Sequence, residues 1–245
     1  MTSTARPLVS IVMPMYNEVE AAENVTREIL RAVDALDDPG AVVVLVVDDG
    51  STDGSGEVLD RLAHEDPRVR VVHHEHNQGF GAAIKTGIAS ADTTYAFMIP
   101  GDGQWDPAEL PLFLSAARDG VDLALGVRSK RAMYGRGRQV LSVMYSLMVR
   151  ALFGVRFRDL AWVHLYHREQ LDWRSPPSTS PFYPVEIALC AAAADRSGRS
   201  WREIPSTMRV RGGGVSKIAR PLVVLRMLRE LLSAAVRIRG AQRAR

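Results

Sequence analysis

The sequence predicts an α/β fold, a mostly parallel sheet flanked by helices, and three observations carry that expectation. Residues 42–47 (VVVLVV) run without a polar break and stop at Asp48-Asp49-Gly50. A short, β-branched, uniformly apolar run marks a central strand covered on both faces. Comparable apolar runs recur and alternate with stretches of helical apolar spacing, which implies right-handed crossovers between parallel strands. With 245 residues, 47% hydrophobic and 24% charged, the chain can build a core on both faces of such a sheet.

Residues 10–13 form the first strand, which breaks at Pro14-Met15-Tyr16-Asn17-Glu18. Residues 21–36 carry Val25, Ile29, Ala32, Val33 and Leu36 at helical spacing and end at Pro39-Gly40. The 42–47 run is the second strand; Gly50 to Gly54 turn the chain, and Ser55 is placed to cap a helix over about 57–64. Residues 69–72 form a third strand, 84–89 a helix, 95–99 a fourth strand and 123–127 a fifth. Residues 129–138 then make a basic, glycine-bearing loop with Lys130, Arg131, Arg136 and Arg138. Residues 140–153 are an apolar helix (Met144, Leu147, Met148, Leu152) that suits either the core or the surface of a bilayer. Residues 186–194 form a small-residue helix, and 201–205 and 207–210 are short extended segments. A last helix over 222–238 carries a polar stripe of Arg226, Glu230, Ser233 and Arg237. Its broad apolar face and basic ends suit a membrane surface or a small membrane-protein partner, with packing back on the domain as the alternative. On this reading residues 1–215 are one domain, and 216–245 a basic amphipathic C-terminal helix.

The net charge of +3 conceals an asymmetry: residues 217–245 hold eight Lys/Arg against one acid, +7, which leaves −4 for the rest. Basicity confined to a tail argues against a nucleic-acid partner for the body of the protein. The single Cys190 excludes an intramolecular disulfide and suits a reducing cytosol. No run reaches the roughly 18 apolar residues of a spanning helix, and residues 1–7 do not read as a signal peptide.

The chemistry gathers at the polar ends of the strands. Tyr16 and Glu18 follow the first, Asp48 and Asp49 the second, and Pro100-Gly101-Asp102-Gly103-Gln104 the fourth. Three neighbouring strand ends would bring carboxylates into one crevice, which suits a ribose, a base edge and a divalent cation. A dinucleotide-binding reading of Gly79-x-Gly81 fails on order: those glycines belong after the first strand, and Ile84 stands where the third would be. The small residues there instead let a helix pack closely on the sheet. His73, His74 and His76 match no zinc spacing and read as a strand-end loop.

SIVMPMYNE, VVDDGSTDGS, NQGFGAAIKTG and DGQWDP, in that order and spacing, resemble the inverting family 2 glycosyltransferases of the GT-A fold. The nearest branch is that of the polyprenyl (dolichyl) phosphate sugar synthases, among them mannose synthases. The resemblance covers about residues 8–128 strongly and returns in patches to residue 217. It implies a Rossmann-like sheet with Pro14, Tyr16, Glu18, Asp48 and Asp49 around base and ribose. It also implies Gly101, Asp102 and Gln104 near the diphosphate, with Asp102 and Gln104 holding Mg²⁺ or Mn²⁺. The family's usual Asp-x-Asp is here Pro100-Gly101-Asp102, so the first acid is missing and metal affinity without nucleotide should be weak. By the same resemblance Arg128, Arg138 and Ser142 hold the acceptor phosphate, for which guanidinium forks and a hydroxyl are fitting donors. Asp159 lies in the family's Asp-containing segment, with His164 near the position of its usual basic residue. Arg211, Ser216 and Lys217 belong to a glycine-rich closing segment able to reach phosphates.

The leading expectation is therefore an enzyme that transfers a sugar, with inversion, from a nucleotide diphosphate sugar (GDP-mannose or a UDP-hexose) to polyprenyl phosphate. The reaction would occur at the cytoplasmic face of the membrane, on a peripherally bound protein. Transfer to a hydroxyl acceptor on a small molecule, peptide or glycan is an alternative, with Asp159 as base. A non-catalytic nucleotide-sugar binder is another, motivated by Pro100.

Overall fold

The computed structural model describes residues 6–128, 136–155, 157–177, 179–193, 200–209 and 221–243. Their strands are β1 (Val9–Met15), β2 (Val42–Asp48), β3 (Val69–His73), β4 (Tyr95–Met98), β5 (Leu123–Arg128), β6 (His164–His167) and β7 (Trp201–Ser206). They form one seven-stranded sheet in the order β3-β2-β1-β4-β6-β5-β7. Neighbours run parallel except at β6, which is antiparallel to both β4 and β5. The aliphatic runs thus form the central parallel strands, as expected. The reversal at β6 was not legible, because HLYH offers neither an aliphatic run nor a turn signal.

The helices are α1 (Val19–Asp34), α2 (Ser55–Glu65), α3 (Phe80–Ser90), α4 (Leu110–Arg118), α5 (Arg136–Phe153), α6 (Tyr183–Ala193) and α7 (Pro221–Arg243). Strand residues alternate between two cores, as the two-residue period of a strand requires. Ile11, Met13, Val44, Val46 and Phe97 pack with Ile29 of α1, Leu59 of α2 and Phe113 of α4. Val12, Leu45 and Met98 point the other way, into a core with Ile84 of α3, Val149 of α5, Leu189 of α6 and Leu231 of α7. Helix α4 was missed in the sequence; it is nine residues long, with a proline at its start.

Helix α7 is not an appendage, since Leu231 and Ala234 are fully buried in the second core. Its polar stripe runs along the flank of that buried side, with Arg226, Ser233 and Arg237 exposed and Glu230 half-buried. Arg237 pairs with the buried Glu186 of α6, Glu230 accepts from Ser180, and Arg226 reaches Thr179. The outward side is apolar instead: Leu222, Leu225, Leu232 and Val236 are 55–80% exposed.

From β1 the chain winds outward through β2 to β3 and then returns to the other side of β1 for β4. Such a reversal opens a crevice at the carboxyl ends of the central strands. Gly101 at the end of β4 lets the two strand ends approach, because a Cβ there would stand 2.7 Å from the Pro14 carbonyl oxygen.

Candidate active site

The ends of β1 and β2 are stitched together by short polar side chains. Asn17 holds a positive φ of 50°, donates its backbone N–H to Ser51 Oγ (2.9 Å), and accepts from the Thr52 N–H (2.8 Å). The Glu18 N–H donates to Ser55 Oγ (3.0 Å), and that hydroxyl donates to Asp53 Oδ1 (2.5 Å). Ser55 is therefore the first residue of α2 and not its cap. Asp53 serves both helices, accepting the Ser55 N–H and, through Oδ2, the Val19 N–H that opens α1 (3.1 Å). Sequence reasoning passed over Asp53 and Ser51, although a Ser-Thr-Asp turn between two helix starts was a signal for side-chain capping.

Of the residues expected around base and ribose, Pro14 is buried within β1, and Tyr16 and Glu18 are half-buried in the loop that follows. Asp48 ends β2 almost buried, at 4% exposure. Its Oδ1 accepts the Ser51 N–H (3.0 Å) and its Oδ2 lies 2.9 Å from His73 Nδ1. A carboxylate has about four acceptor positions, so Asp48 keeps capacity for a ligand.

Asp49, grouped with these residues, is spent inside the protein. Its Oδ1 meets His74 Nδ1 (2.7 Å) and the Gln78 N–H, and its Oδ2 takes the Asn77 amide and the Gly79 N–H. Four contacts fill the carboxylate, and their effect is to fix the loop from His76 to Gly79 beneath the strand ends. Of the three histidines, His73 ends β3 and meets Asp48, His74 follows it and meets Asp49, and His76 lies in the loop beyond. Among the described residues no group of three His, Cys, Asp or Glu is arranged to hold a metal.

Past β4, Asp102 is half-buried and its Oδ1 accepts the Gln104 N–H (3.1 Å). Gln104 bonds twice to the segment after β7: the Arg209 N–H donates to its carbonyl (2.7 Å), and its side-chain Nε2 donates to the Arg209 carbonyl (3.4 Å). Arg209 in turn bridges Glu28 and Asp106. One carboxylate and one amide are hard oxygen donors, so they fit Mg²⁺ or Mn²⁺ only as part of a shell completed by diphosphate and water. The expected partners Arg211, Ser216 and Lys217 lie outside the described residues. Arg209 nevertheless places the start of their segment against the metal motif.

Of the residues expected on the acceptor side, Arg128 and Asp159 meet each other. Arg128 Nε and Nη2 form a bidentate bridge to Asp159, at 2.7 and 2.8 Å, with side chains only 7% and 2% exposed. The guanidinium also lies over the Trp162 ring, 5.4 Å from its centroid. Beside the pair a cavity lined by Tyr145, Arg150 and Arg158 measures about 20 Å³, room for about one water and not for a phosphate. Arg128 and Asp159, expected as phosphate ligand and base, thus form a buried bridge that ties β5 to the segment before β6. Arg138 and Ser142 fall in the first turns of α5, and their side chains lie outside the described set. His164 is wholly buried in β6, and burial pushes its pKa down to about 4, so it is neutral and no substitute for a basic residue. Its Nδ1 lies 2.6 Å from the Tyr166 hydroxyl.

A mostly parallel sheet broken by one reversed strand, with polar and acidic residues gathered at the β1, β2 and β4 ends, is the architecture of the GT-A glycosyltransferases. The chain belongs to glycosyl transferase family 2, whose model matches residues 10–178. It is 34% identical over 229 residues to the polyprenol monophosphomannose synthase of Mycolicibacterium smegmatis, across 89% of this chain and 84% of that one. It is 30% identical to the undecaprenyl-phosphate mannosyltransferase of Micrococcus luteus, across 86% and 88% of the two chains. Among solved structures, glucosyl-3-phosphoglycerate synthase from Mycobacterium tuberculosis with UDP superposes with a TM-score of 0.68 at 20% identity, covering 94% of this chain and 80% of that one. The same enzyme with Mn²⁺, UDP and phosphoglyceric acid gives 0.67 at 22% identity, covering 94% and 78%. At such identity the likeness concerns the fold.

Proposed function

We propose that this protein transfers a sugar, with inversion, from a nucleotide diphosphate sugar to polyprenyl phosphate at the cytoplasmic face of the membrane. The observation that carries the reading is the 34% identity to a polyprenol monophosphomannose synthase across nearly the whole chain. Mannose is accordingly the first sugar to test. Asp48, with Tyr16 and Glu18, receives base and ribose, while Asp102 and Gln104 face the diphosphate. A divalent cation held by Asp102 and Gln104 would neutralise charge on the leaving diphosphate.

The acceptor phosphate oxygen attacks the anomeric carbon opposite the diphosphate, whose bond to that carbon breaks with the electron pair leaving on the diphosphate. An acceptor that is already anionic needs no general base, and alignment and charge neutralisation are the protein's tasks. The engagement of both Asp159 oxygens by Arg128 supports this over a hydroxyl acceptor, which would require that base. Arg138, Ser142, Arg211, Ser216 and Lys217 remain the proposed phosphate ligands.

No described helix is long and apolar enough to cross a membrane. The exposed apolar side of α7, with Met144 and Leu147 of α5 exposed by 61% and 57%, is the proposed seat on the lipid surface. A panel of GDP- and UDP-sugars assayed with polyprenyl phosphate and Mg²⁺ or Mn²⁺ tests the whole reading. Donor binding with no lipid-linked product across the panel would favour the non-catalytic alternative.

A further inference from the structure

Both ring nitrogens of His73, the last residue of β3, lie on carboxylates. Nδ1 is 2.9 Å from Asp48 Oδ2 on β2, and Nε2 is 2.9 Å from Asp60 Oδ1 on α2. A neutral imidazole has one N–H and one lone pair, so it satisfies one carboxylate and turns its lone pair on the other. Only the imidazolium donates to both. His74 makes the contrast: Nδ1 meets Asp49 and Nε2 meets the Thr86 hydroxyl at 2.9 Å, an arrangement a neutral ring satisfies. At His73 partial burial opposes the charge, but the bonds to Asp48 and Asp60 outweigh it and hold the pKa above the ordinary 6.5.

The consequence falls on the donor site. Asp48 has one inward donor on each oxygen, Ser51 N–H on Oδ1 and His73 on Oδ2. Its side chain is 6% exposed, and α2 packs so near that a Cβ at Gly56 would stand 3.0 Å from Oδ2. The carboxylate therefore has little water to turn to when His73 loses its proton.

We propose that His73 is a positioning residue for the donor: its imidazolium holds Asp48 with its remaining lone pairs presented to a nucleobase N–H, and the neutral ring releases it. This rests on the donor reading above. By linkage, bound donor also makes the His73 proton harder to remove.

Asp60→Asn separates this role from a merely structural one. An amide at position 60 can donate to Nε2, so a neutral His73 keeps both contacts, with its single N–H on Asp48. The test is calorimetric titration of the full chain with UDP-glucose and GDP-mannose, with Mg²⁺, between about pH 6 and 8.5. Wild-type affinity should fall on the order of tenfold toward the alkaline end. Asp60→Asn should keep its affinity throughout, and His73→Phe should bind weakly at every pH. The ring nitrogen shifts of His73, followed by NMR without donor, should report an imidazolium near neutral pH in the wild type and a neutral ring in Asp60→Asn. A wild-type affinity that ignores pH, a fall that persists in Asp60→Asn, or a neutral His73 in the wild type near pH 7 overturns the proposal alone. Failure of both nucleotide sugars to bind the folded protein at any pH overturns the donor reading and the proposal with it.

Discussion

Asp102 is the one acid left in a motif where the resembled enzymes carry two, and its environment decides what its loss should do. Asp102→Ala removes the carboxylate proposed to face the diphosphate and should lower turnover on the order of a hundredfold or more, the scale of losing a transition-state charge partner. Gln104→Ala should cost less; near-wild-type turnover of Asp102→Ala with Mg²⁺ and Mn²⁺ would end the metal assignment. Two arginines that look equivalent in sequence should behave differently. Arg128→Ala takes a guanidinium from the nearly buried Asp159 and should cost about 3 kcal/mol or more of stability by urea unfolding. Arg138→Ala should abolish transfer, as expected of an acceptor-phosphate ligand. Their difference was not legible because Asp159 lies 31 residues from Arg128, and no spacing rule encodes that meeting. His164 sets an acid limit on the fold. Its folded pKa, pushed by burial to about 4, lies below the 6.5 of the unfolded chain, so stability is lost as pH falls between those values. The loss should reach about 2 kcal/mol near pH 5. His164→Asn, which does not titrate, should flatten that acid limb. His73, with its raised pKa, contributes in the opposite sense, its stabilisation fading as pH rises.

At the scale of elements, the strands buried on both faces carry the plainest signal, although the half-exposed β3 and β7 were legible too. β1, β2 and β4 are buried along their whole lengths, so their sequences carry the unbroken apolar signal. β6 is also buried but contains two histidines in four residues, and its place is fixed by pairing with β4 and β5, which local sequence does not record. The clustering of the proposed nucleotide-side residues was legible for a related reason. They follow directly on those strands, so strand order alone gathers them. Helix α7 shows the limit of a periodicity argument, which finds stripes without saying which one faces inward. Here Leu231, Ala234 and Ala235 face inward and the polar stripe flanks them, where Glu186, Ser180 and Thr179 offer it partners. Arg237→Ala should therefore destabilise the fold by about 3 kcal/mol, through the 1%-exposed Glu186 it leaves behind. Leu225→Glu with Leu232→Glu, on the outer side, should change urea-unfolding stability by less than about 1 kcal/mol. The reverse ranking would show that α7 docks the other way round.

Over the whole molecule, charge and apolar surface gather toward the same end of the chain. Residues 217–245 carry +7 while the remainder carries −4. The outer side of α7 leaves Leu222, Leu225, Leu232 and Val236 exposed, and Arg229 and Arg239 are exposed on the same helix. Each basic residue near an anionic surface contributes on the order of 1 kcal/mol, and the attraction fades over a Debye length of about 10 Å at 0.1 M salt. The protein should therefore sediment with anionic vesicles at low salt and be partly released at high salt. Deleting the helix is an unsound test of its role, because Leu231, Ala234 and Ala235 close the second core and their removal would unfold what they cover. The double substitution Leu225→Glu and Leu232→Glu keeps that inner side intact and opposes insertion of the outer one. It should abolish cosedimentation and slow transfer to long-chain polyprenyl phosphate, with little effect on a short, water-soluble acceptor phosphate. If the doubly substituted protein still cosediments while Met144→Glu with Leu147→Glu does not, α5 carries the seat and α7 only supports it. A protein that ignores vesicles with all four positions native would have to take its lipid acceptor from solution or from a partner.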